Sequence, residues 1–122
     1  FRRNKRIKAM QQVDANLPVL QVPEYGAFLN ETIGLNPGQK WQLGEITRLG
    51  RKSVENDIPL MGLSASRNQG VIRVNMGIYV LESINPDNPM LLNDQPVINP
   101  TTLQPGDVIR AGDSSFLFET IG

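Results

Sequence analysis

The sequence predicts an all-β sandwich of short strands, and three observations carry that expectation. From Pro23 onward, short apolar runs are separated by turn residues, the spacing of a two-sheet β fold. Apolar residues alternate with polar ones in the middle of the chain: Ile72, Val74 and Met76 with Arg73 and Asn75, then Tyr79 and Leu81 with Val80 and Glu82. A period of two marks strands with one wet face. Finally, no internal repeat or low-complexity tract breaks the pattern.

Residues 1–22 read as a basic tail or juxtamembrane linker and residues 23–122 as the β domain. Within residues 4–15, good helix formers place Ile7, Met10 and Val13 three apart. That suits either a short amphipathic helix stopped at Asn16-Leu17-Pro18 or a segment without regular structure. In the body, Ala27-Phe28-Leu29 and Lys40-Trp41-Gln42-Leu43 form a hairpin across Asn36-Pro37-Gly38, where Pro and Gly suit a β-turn. Asp57-Ile58-Pro59-Leu60 is confined by its proline to an edge or a strand end. Gly77 turns the chain between the two alternating strands. Met90-Leu91-Leu92 and Pro96-Val97-Ile98 flank Asn93-Asp94-Gln95, where Asn and Asp tolerate the left-handed backbone of a tight hairpin. Pro105-Gly106-Asp107 leads into Val108-Ile109-Arg110, and Ala111-Gly112-Asp113 returns the chain into Phe116-Leu117-Phe118. Trp41, Phe116 and Phe118 sit on alternating strand positions and are assigned to the core, not to a stacking platform for bases.

Composition excludes much chemistry. The 122 residues include neither His nor Cys, so no imidazole base, no Ser-His-Asp or Cys-His nucleophile and no zinc site of nitrogen and sulfur ligands can be built. Asp107 and Asp113 resemble a carboxylate pair but lie in turn chemistry, and Asp87, Asp94 and Glu82 lack the spacing of a calcium loop. A phosphate-cradling glycine motif is also absent from the body. We therefore expect no enzyme, no cofactor and no metal. At 39% hydrophobic, a chain of this length can bury one sandwich core without a metal or disulfide.

The charges are unevenly placed. Twelve basic and twelve acidic residues cancel, but Arg2, Arg3, Lys5, Arg6 and Lys8 lie in the first eight positions. The remainder carries seven basic against twelve acidic residues, a net of −5, which argues against nucleic acid as a partner because duplex binding needs a basic face. The opening Phe-Arg-Arg, without Met, reads as part of a longer chain. Its Lys/Arg cluster has two readings. One is the cytoplasmic flank of a preceding transmembrane helix, which would tether a cytoplasmic domain to the membrane. The other is a solvated linker, attracted to anionic lipid by ~1 kcal/mol per basic residue. The chain itself has no apolar run of about 18 residues that would span a bilayer, and its lack of Cys fits a reducing compartment.

One ordered set of short motifs goes further: Gly50-Arg51, Asn56-Asp57-Ile58, Ser66-Arg67-Asn68-Gln69, Tyr79-x-Leu81, Asn88, Leu92-Asn93-Asp94, Leu103-x-Pro105-Gly106-Asp107-x-Ile109-x-x-Gly112 and Phe116-x-Phe118. Over about residues 25–120 this order resembles the forkhead-associated (FHA) domain, whose pattern runs Gly-Arg, Asn-Asp-Ile, Ser-Arg-x-His, an Asn-Gly stretch and Leu-x-x-Gly-Asp with a last Gly. The resemblance implies an FHA/SMAD-like sandwich of about eleven strands whose loops at one end bind phosphothreonine peptides. The partner it implies is a protein phosphorylated on Thr by a Ser/Thr kinase. Arg51 takes the place of the phosphate-binding Arg, on the loop after the second strand. Ser66 matches the Ser whose hydroxyl and backbone N–H reach the phosphate. Asn88 matches the Asn that bonds the peptide main chain and sets its register, and Arg67 offers a second positive group. A phosphothreonine carries about −1.5 to −2 charges and three acceptor oxygens, so these donor types suit it.

The sequence departs from the family in two loops. Gln69 replaces the His that braces the site, and Gln can both donate and accept in its place. Pro86, Pro89 and Met90 replace Ser, Gly and Thr of the Asn-Gly loop, and the two prolines stiffen it and remove donors. Asp87 repels a dianion unless it turns to solvent or pairs with Arg51 or Arg67. Two functions stay open: a phosphothreonine reader, favoured by Arg51, Ser66 and Asn88, and an FHA-fold scaffold making phosphate-independent or oligomeric contacts, favoured by Gln69, Asp87, Pro86 and Pro89.

Overall fold

The computed structural model describes residues 26–121; the tail at 1–22, with its helical or irregular alternatives, lies outside the described residues. The described residues form eleven strands: β1 (Gly26–Ile33), β2 (Lys40–Gln42), β3 (Ile46–Gly50), β4 (Ile58–Pro59), β5 (Gly70–Asn75), β6 (Ile78–Ser83), β7 (Leu91–Leu92), β8 (Gln95–Pro96), β9 (Thr101–Thr102), β10 (Val108–Ala111) and β11 (Ser114–Ile121). Two sheets result, ordered β2-β1-β11-β10-β7-β8 and β4-β3-β5-β6-β9. The eleven-stranded sandwich expected from the sequence is the architecture observed.

The longest ladder joins the two ends of the domain. β1 runs antiparallel to β11 from Gly26↔Ile121 to Ile33↔Ser115, with a bulge between Glu31 and Ile33. Its alternating pattern buries Ala27, Leu29 and Glu31 on one side and Phe116 and Phe118 on the partner. The opposite sheet contributes Leu49, Ile72 and Leu81. Tyr79 and Phe118 bridge the two layers, ring centroids 5.6 Å apart at 59°, a tilted geometry that suits the ring quadrupoles.

Local turn chemistry is realised where the sequence placed it. Asn93 and Asp94 take φ of 51° and 67° and close the β7–β8 hairpin, and Pro59 sits in the edge strand β4, paired parallel to β3. Asn93 is structural: its Oδ1 accepts the Val108 N–H at 2.9 Å and its Nδ2 donates to Asp107 Oδ1 at 2.9 Å. Asp107 also accepts the Gln104 N–H at 2.8 Å, as a turn residue does.

Two expectations need correction. Met76 does not extend the buried alternation of Ile72 and Val74. It occupies the β5–β6 turn with Gly77, at φ 53° and 94% exposed, because the hairpin register ends at Asn75↔Ile78. Trp41 is not a core aromatic like Phe116 and Phe118. It packs half-buried against the core and donates its indole N–H to Glu31 Oε1 at 2.8 Å.

Glu31 itself went unnoticed in the sequence. It is fully buried, and its second oxygen accepts the Asn36 N–H at 2.7 Å, so one carboxylate organises the β1–β2 turn and the edge strand. Buried polar groups persist in this way only when hydrogen-bonded. Glu31→Ala strands two donors, so we expect a loss of about 2–4 kcal/mol, read as a lower urea midpoint at unchanged m-value.

Candidate functional site

The loops at 51–57, 60–69 and 84–90 gather at one end of the sandwich with the β10–β11 turn. Their approach begins at Gly50, the last residue of β3. A Cβ at this position would collide with the Arg67 carbonyl and the Asn56 side chain, so glycine lets two loops touch backbone to backbone. Arg51 therefore follows β3, not a second strand, since the Lys40–Gln42 arm is a strand of its own. The Arg51 N–H donates to Ser66 O at 2.9 Å, and Asn56 Nδ2 donates to Lys52 O at 2.7 Å and Arg67 O at 2.9 Å. Asp57 fastens the far end of the same loop to β3, with Arg48 N–H donating to Asp57 Oδ2 at 2.8 Å.

The opposite wall is equally fixed. Gly112 has φ +57°, and a Cβ there would lie 2.6 Å from Ala65 Cβ. Around it, the Asp113 N–H donates to Met61 O at 2.8 Å and the Met61 N–H to Ser114 Oγ at 2.9 Å. The final glycine of the motif series thus positions the loop that carries Ser66.

Gln69 is the brace. Its side chain is 1% exposed; Oε1 accepts the Ser66 N–H at 2.7 Å and Nε2 donates to Asn88 O at 2.5 Å. One amide joins two loops by using both of its capacities. This arrangement corrects one detail of the expected site: the Ser66 backbone N–H is engaged by Gln69 and is not directed at a ligand.

The Ser66 hydroxyl is poised differently. Its oxygen accepts from Asn88 Nδ2 at 3.0 Å and from Asn85 Nδ2 at 3.1 Å. With both lone pairs occupied, what remains is its proton, so Ser66 is left as a hydrogen-bond donor. Asn88 Nδ2 also donates to Ser64 O at 2.7 Å, which uses both amide hydrogens and leaves Oδ1 to accept an N–H from a ligand backbone. The structure thereby joins Arg51, Ser66, Arg67 and Asn88 in one connected loop cluster. It adds Asn85 and Asn56, which the sequence alone did not assign; an Asn ahead of Pro86 signals a turn, not a contact to Ser66.

The departures find explanations. Asn85-Pro86-Asp87-Asn88 forms a β-turn closed by Asn88 N–H to Asn85 O at 3.1 Å, and proline suits its second position. Met90 is fully buried against Gly70, which makes it a core substitution. Asp87 is exposed, and its N–H donates to Asn85 Oδ1 at 3.0 Å. Among the described residues neither Arg51 nor Arg67 has a carboxylate within salt-bridge distance, so Asp87 does not fill the site with an internal ion pair. Both arginines are exposed at the rim. The end of the domain thus presents two uncompensated guanidinium groups, a hydroxyl donor and an amide acceptor, a set suited to a phosphate-bearing side chain and the peptide N–H beside it.

Comparison with known proteins agrees with the fold. The family model for the FHA domain matches residues 47–112, over half of the chain. Mycobacterium tuberculosis EmbR, solved in complex with a low affinity phosphopeptide, is similar at 29% identity and a TM-score of 0.70, covering 80% of this chain and 25% of that one. The chain thus spans about a quarter of EmbR. The FhaA FHA domain, complexed with the intracellular domain of Rv3910, is similar at 28% identity and a TM-score of 0.66, over 76% of this chain and 99% of that one. The FHA domain of an Arabidopsis thaliana hypothetical protein shares the fold at 24% identity and a TM-score of 0.73, covering 80% and 87%. No curated protein matches the sequence.

The brace yields a direct test. Gln69→Ala leaves the Ser66 N–H and Asn88 carbonyl without partners, which we expect to destabilise the domain by about 2–4 kcal/mol. Amide hydrogen exchange should quicken at Ser66 more than in the β1–β11 ladder.

Proposed function

The chain belongs to the FHA domain family, and from that premise we propose that it is an interaction module that binds phosphothreonine peptides and does no catalysis itself. FHA domains are interaction modules, and solved relatives include complexes with phosphopeptide and with a partner protein's intracellular domain. The observation that carries the reading is the pair of exposed arginines without carboxylate partners beside the Ser66 hydroxyl, whose free capacity is that of a donor. Arg51 and Arg67 meet the phosphate charge, Ser66 donates to a phosphate oxygen, and Asn88 Oδ1 accepts a peptide N–H and sets the register. Gln69 supplies the bracing that a His gives elsewhere in the family. The partner is a protein phosphorylated on threonine.

A scaffold that ignores phosphate is the competing reading, favoured by Asp87 at the rim. The two separate on one titration with a degenerate phosphothreonine peptide library, its unphosphorylated twin and the Arg51→Ala variant. We expect saturable binding that requires the phosphate and weakens about 10- to 100-fold in Arg51→Ala, as for a lost charged hydrogen bond of 1.5–3 kcal/mol. Equal binding of both libraries by folded protein would leave only the scaffold reading.

The pH dependence has a defined sign. The second ionisation of a phosphoester lies near 6, with the dianion above and the monoanion below. Affinity should therefore fall as pH drops from about 7 to about 5, and with no His in the chain no imidazole contributes to that window. Isothermal titration across this range checks it.

We also place the domain on the cytoplasmic side of a membrane. The support is the cluster of five basic residues in the first eight positions, which is attracted to anionic headgroups. Sedimentation with phosphatidylserine vesicles, with and without residues 1–8, tests that placement.

A further inference from the structure

Met76 has no use in the fold that explains it. Three non-glycine residues among those described take a left-handed φ, and two of them, Asn93 and Asp94, are of the types whose short polar side chains tolerate it. The third is Met76, at φ 53° in the β5–β6 turn, where Asn or Asp would cost the backbone less. Its side chain is also 94% exposed, so no packing offsets that cost. An unfavourable conformation and a bare apolar side chain at one position point to a role outside the domain.

Met76 is not alone. Ile46 opposes Arg73, Arg73 opposes Val80 and Asn75 opposes Ile78, so these residues share the outer face of the five-stranded sheet, while the alternate residues Thr47, Ile72 and Leu81 are buried. Ile78 is 53% and Ile46 41% exposed, and with Met76 they form an apolar tip at one end of that sheet. The six residues of β5 run from Gly70, directly after the brace Gln69, to the turn, so the tip lies about 20 Å from the candidate site. The domain begins at the same pole. Leu43 N–H donates to Ala27 O at 2.9 Å and Val74 N–H to Glu45 O at 3.1 Å, which joins the start of β1 to the end of β5 through one short connection.

Charge narrows the partner. The tip brings no free cation of its own, since Arg73 is paired with Glu82 at 2.8 Å and Glu45, beside Ile46, is an exposed carboxylate. The cations lie in the chain that leads into this pole: Arg2, Arg3, Lys5, Arg6 and Lys8. Lys8 and Gly26 are 18 positions apart, a length that can extend about 60 Å, so the basic cluster and the tip can meet one plane. Stable attachment to a bilayer takes two weak signals, such as an apolar insertion and a basic cluster, and both converge here.

We propose that this pole is a lipid-contacting surface: Met76, flanked by Ile78 and Ile46, enters the headgroup region of an anionic phospholipid bilayer while the basic residues of positions 2–8 bind its surface charge. The proposal rests on the membrane placement given above and names the face that meets the lipid. The candidate site, at the opposite pole, then points away from the bilayer toward a phosphorylated partner.

The test uses the full 122-residue chain with phosphatidylserine vesicles, and phosphatidylcholine vesicles as the control surface. We expect Met76→Asn to weaken partitioning about 5- to 10-fold while melting at or above the parent temperature, because Asn suits the left-handed turn. Met76→Leu, apolar but no better suited to the turn, should keep the partitioning. The chain has no Cys, so Met76→Cys carries a single environment-sensitive fluorophore, as does Leu63→Cys at the opposite pole, where Leu63 is 90% exposed. Emission from position 76 should shift to the blue on phosphatidylserine vesicles, and emission from position 63 should not. Binding that needs residues 1–8 but is unchanged in Met76→Asn, or that shifts neither probe, overturns the proposal and leaves the membrane placement standing. No binding to phosphatidylserine overturns both. A shift at position 76 that grows with protein concentration in the absence of vesicles assigns the tip to a second copy of the chain and likewise overturns the proposal.

Discussion

The candidate site depends on the buried amide of Gln69. Two loops far apart in sequence, one carrying Ser66 and the other Asn88, each turn a backbone group toward the same interior point. A single side chain satisfies both, accepting from the Ser66 N–H and donating to the Asn88 carbonyl. Because it is fully buried, water cannot substitute for either bond. The chemistry of a terminal amide is what lets it serve: a hydroxyl or carboxylate in the same place would not combine those two reaches. With that brace present, Asn88 can turn its own amide onto Ser64 and Ser66, and Ser66 is left with only a proton to offer.

Around the brace, glycines permit what side chains would prevent. Gly50 lets the loop after β3 lie against Arg67 and Asn56, and Gly112 lets the β10–β11 corner lie against Ala65. These contacts tie the cluster to β3 and to the β10–β11 corner, so the loop backbone that carries the donors is held in place before any ligand arrives. Preorganisation of this kind lowers the ordering cost of binding. The electrostatics are local: the chain beyond residue 8 carries an excess of acid, yet the arginines at this end have no carboxylate partners among the described residues, while Lys40, Lys52, Arg73 and Arg110 are paired. The acidic excess of the residues beyond position 8 and the positive charge of the two rim arginines concern different length scales.

Much of the fold was legible because strands and turns are chosen by neighbouring residues. Asn93-Asp94 forms its hairpin through the left-handed tolerance of those two side chains, and Pro59 lies on an edge because it has no N–H to give a second neighbour. Met76 marks where that logic fails. Alternation extended it into the strand, but the register with β6 ended one residue earlier, and an exposed turn took a residue whose apolarity has no local consequence. Trp41 and Glu31 fail for another reason. Their meeting joins β1 to β2 across a buried hydrogen bond, and nothing within either segment announces it.

The sequence by itself determined the sandwich, its turns and the exclusion of imidazole and thiol chemistry, and it nominated four candidate site residues, Arg51, Ser66, Arg67 and Asn88, through motifs whose spacing resembles a family pattern. Only the tertiary structure decided what those residues are free to do. Hydrogen-bonding capacity is finite, and which donor or acceptor remains depends on partners brought together from distant segments. That is why the Ser66 N–H is spent on Gln69 while its hydroxyl is not, why Asp87 stays in solvent without closing the site, and why Arg110, read in the sequence only as part of a strand, borders a cavity beside Asn88.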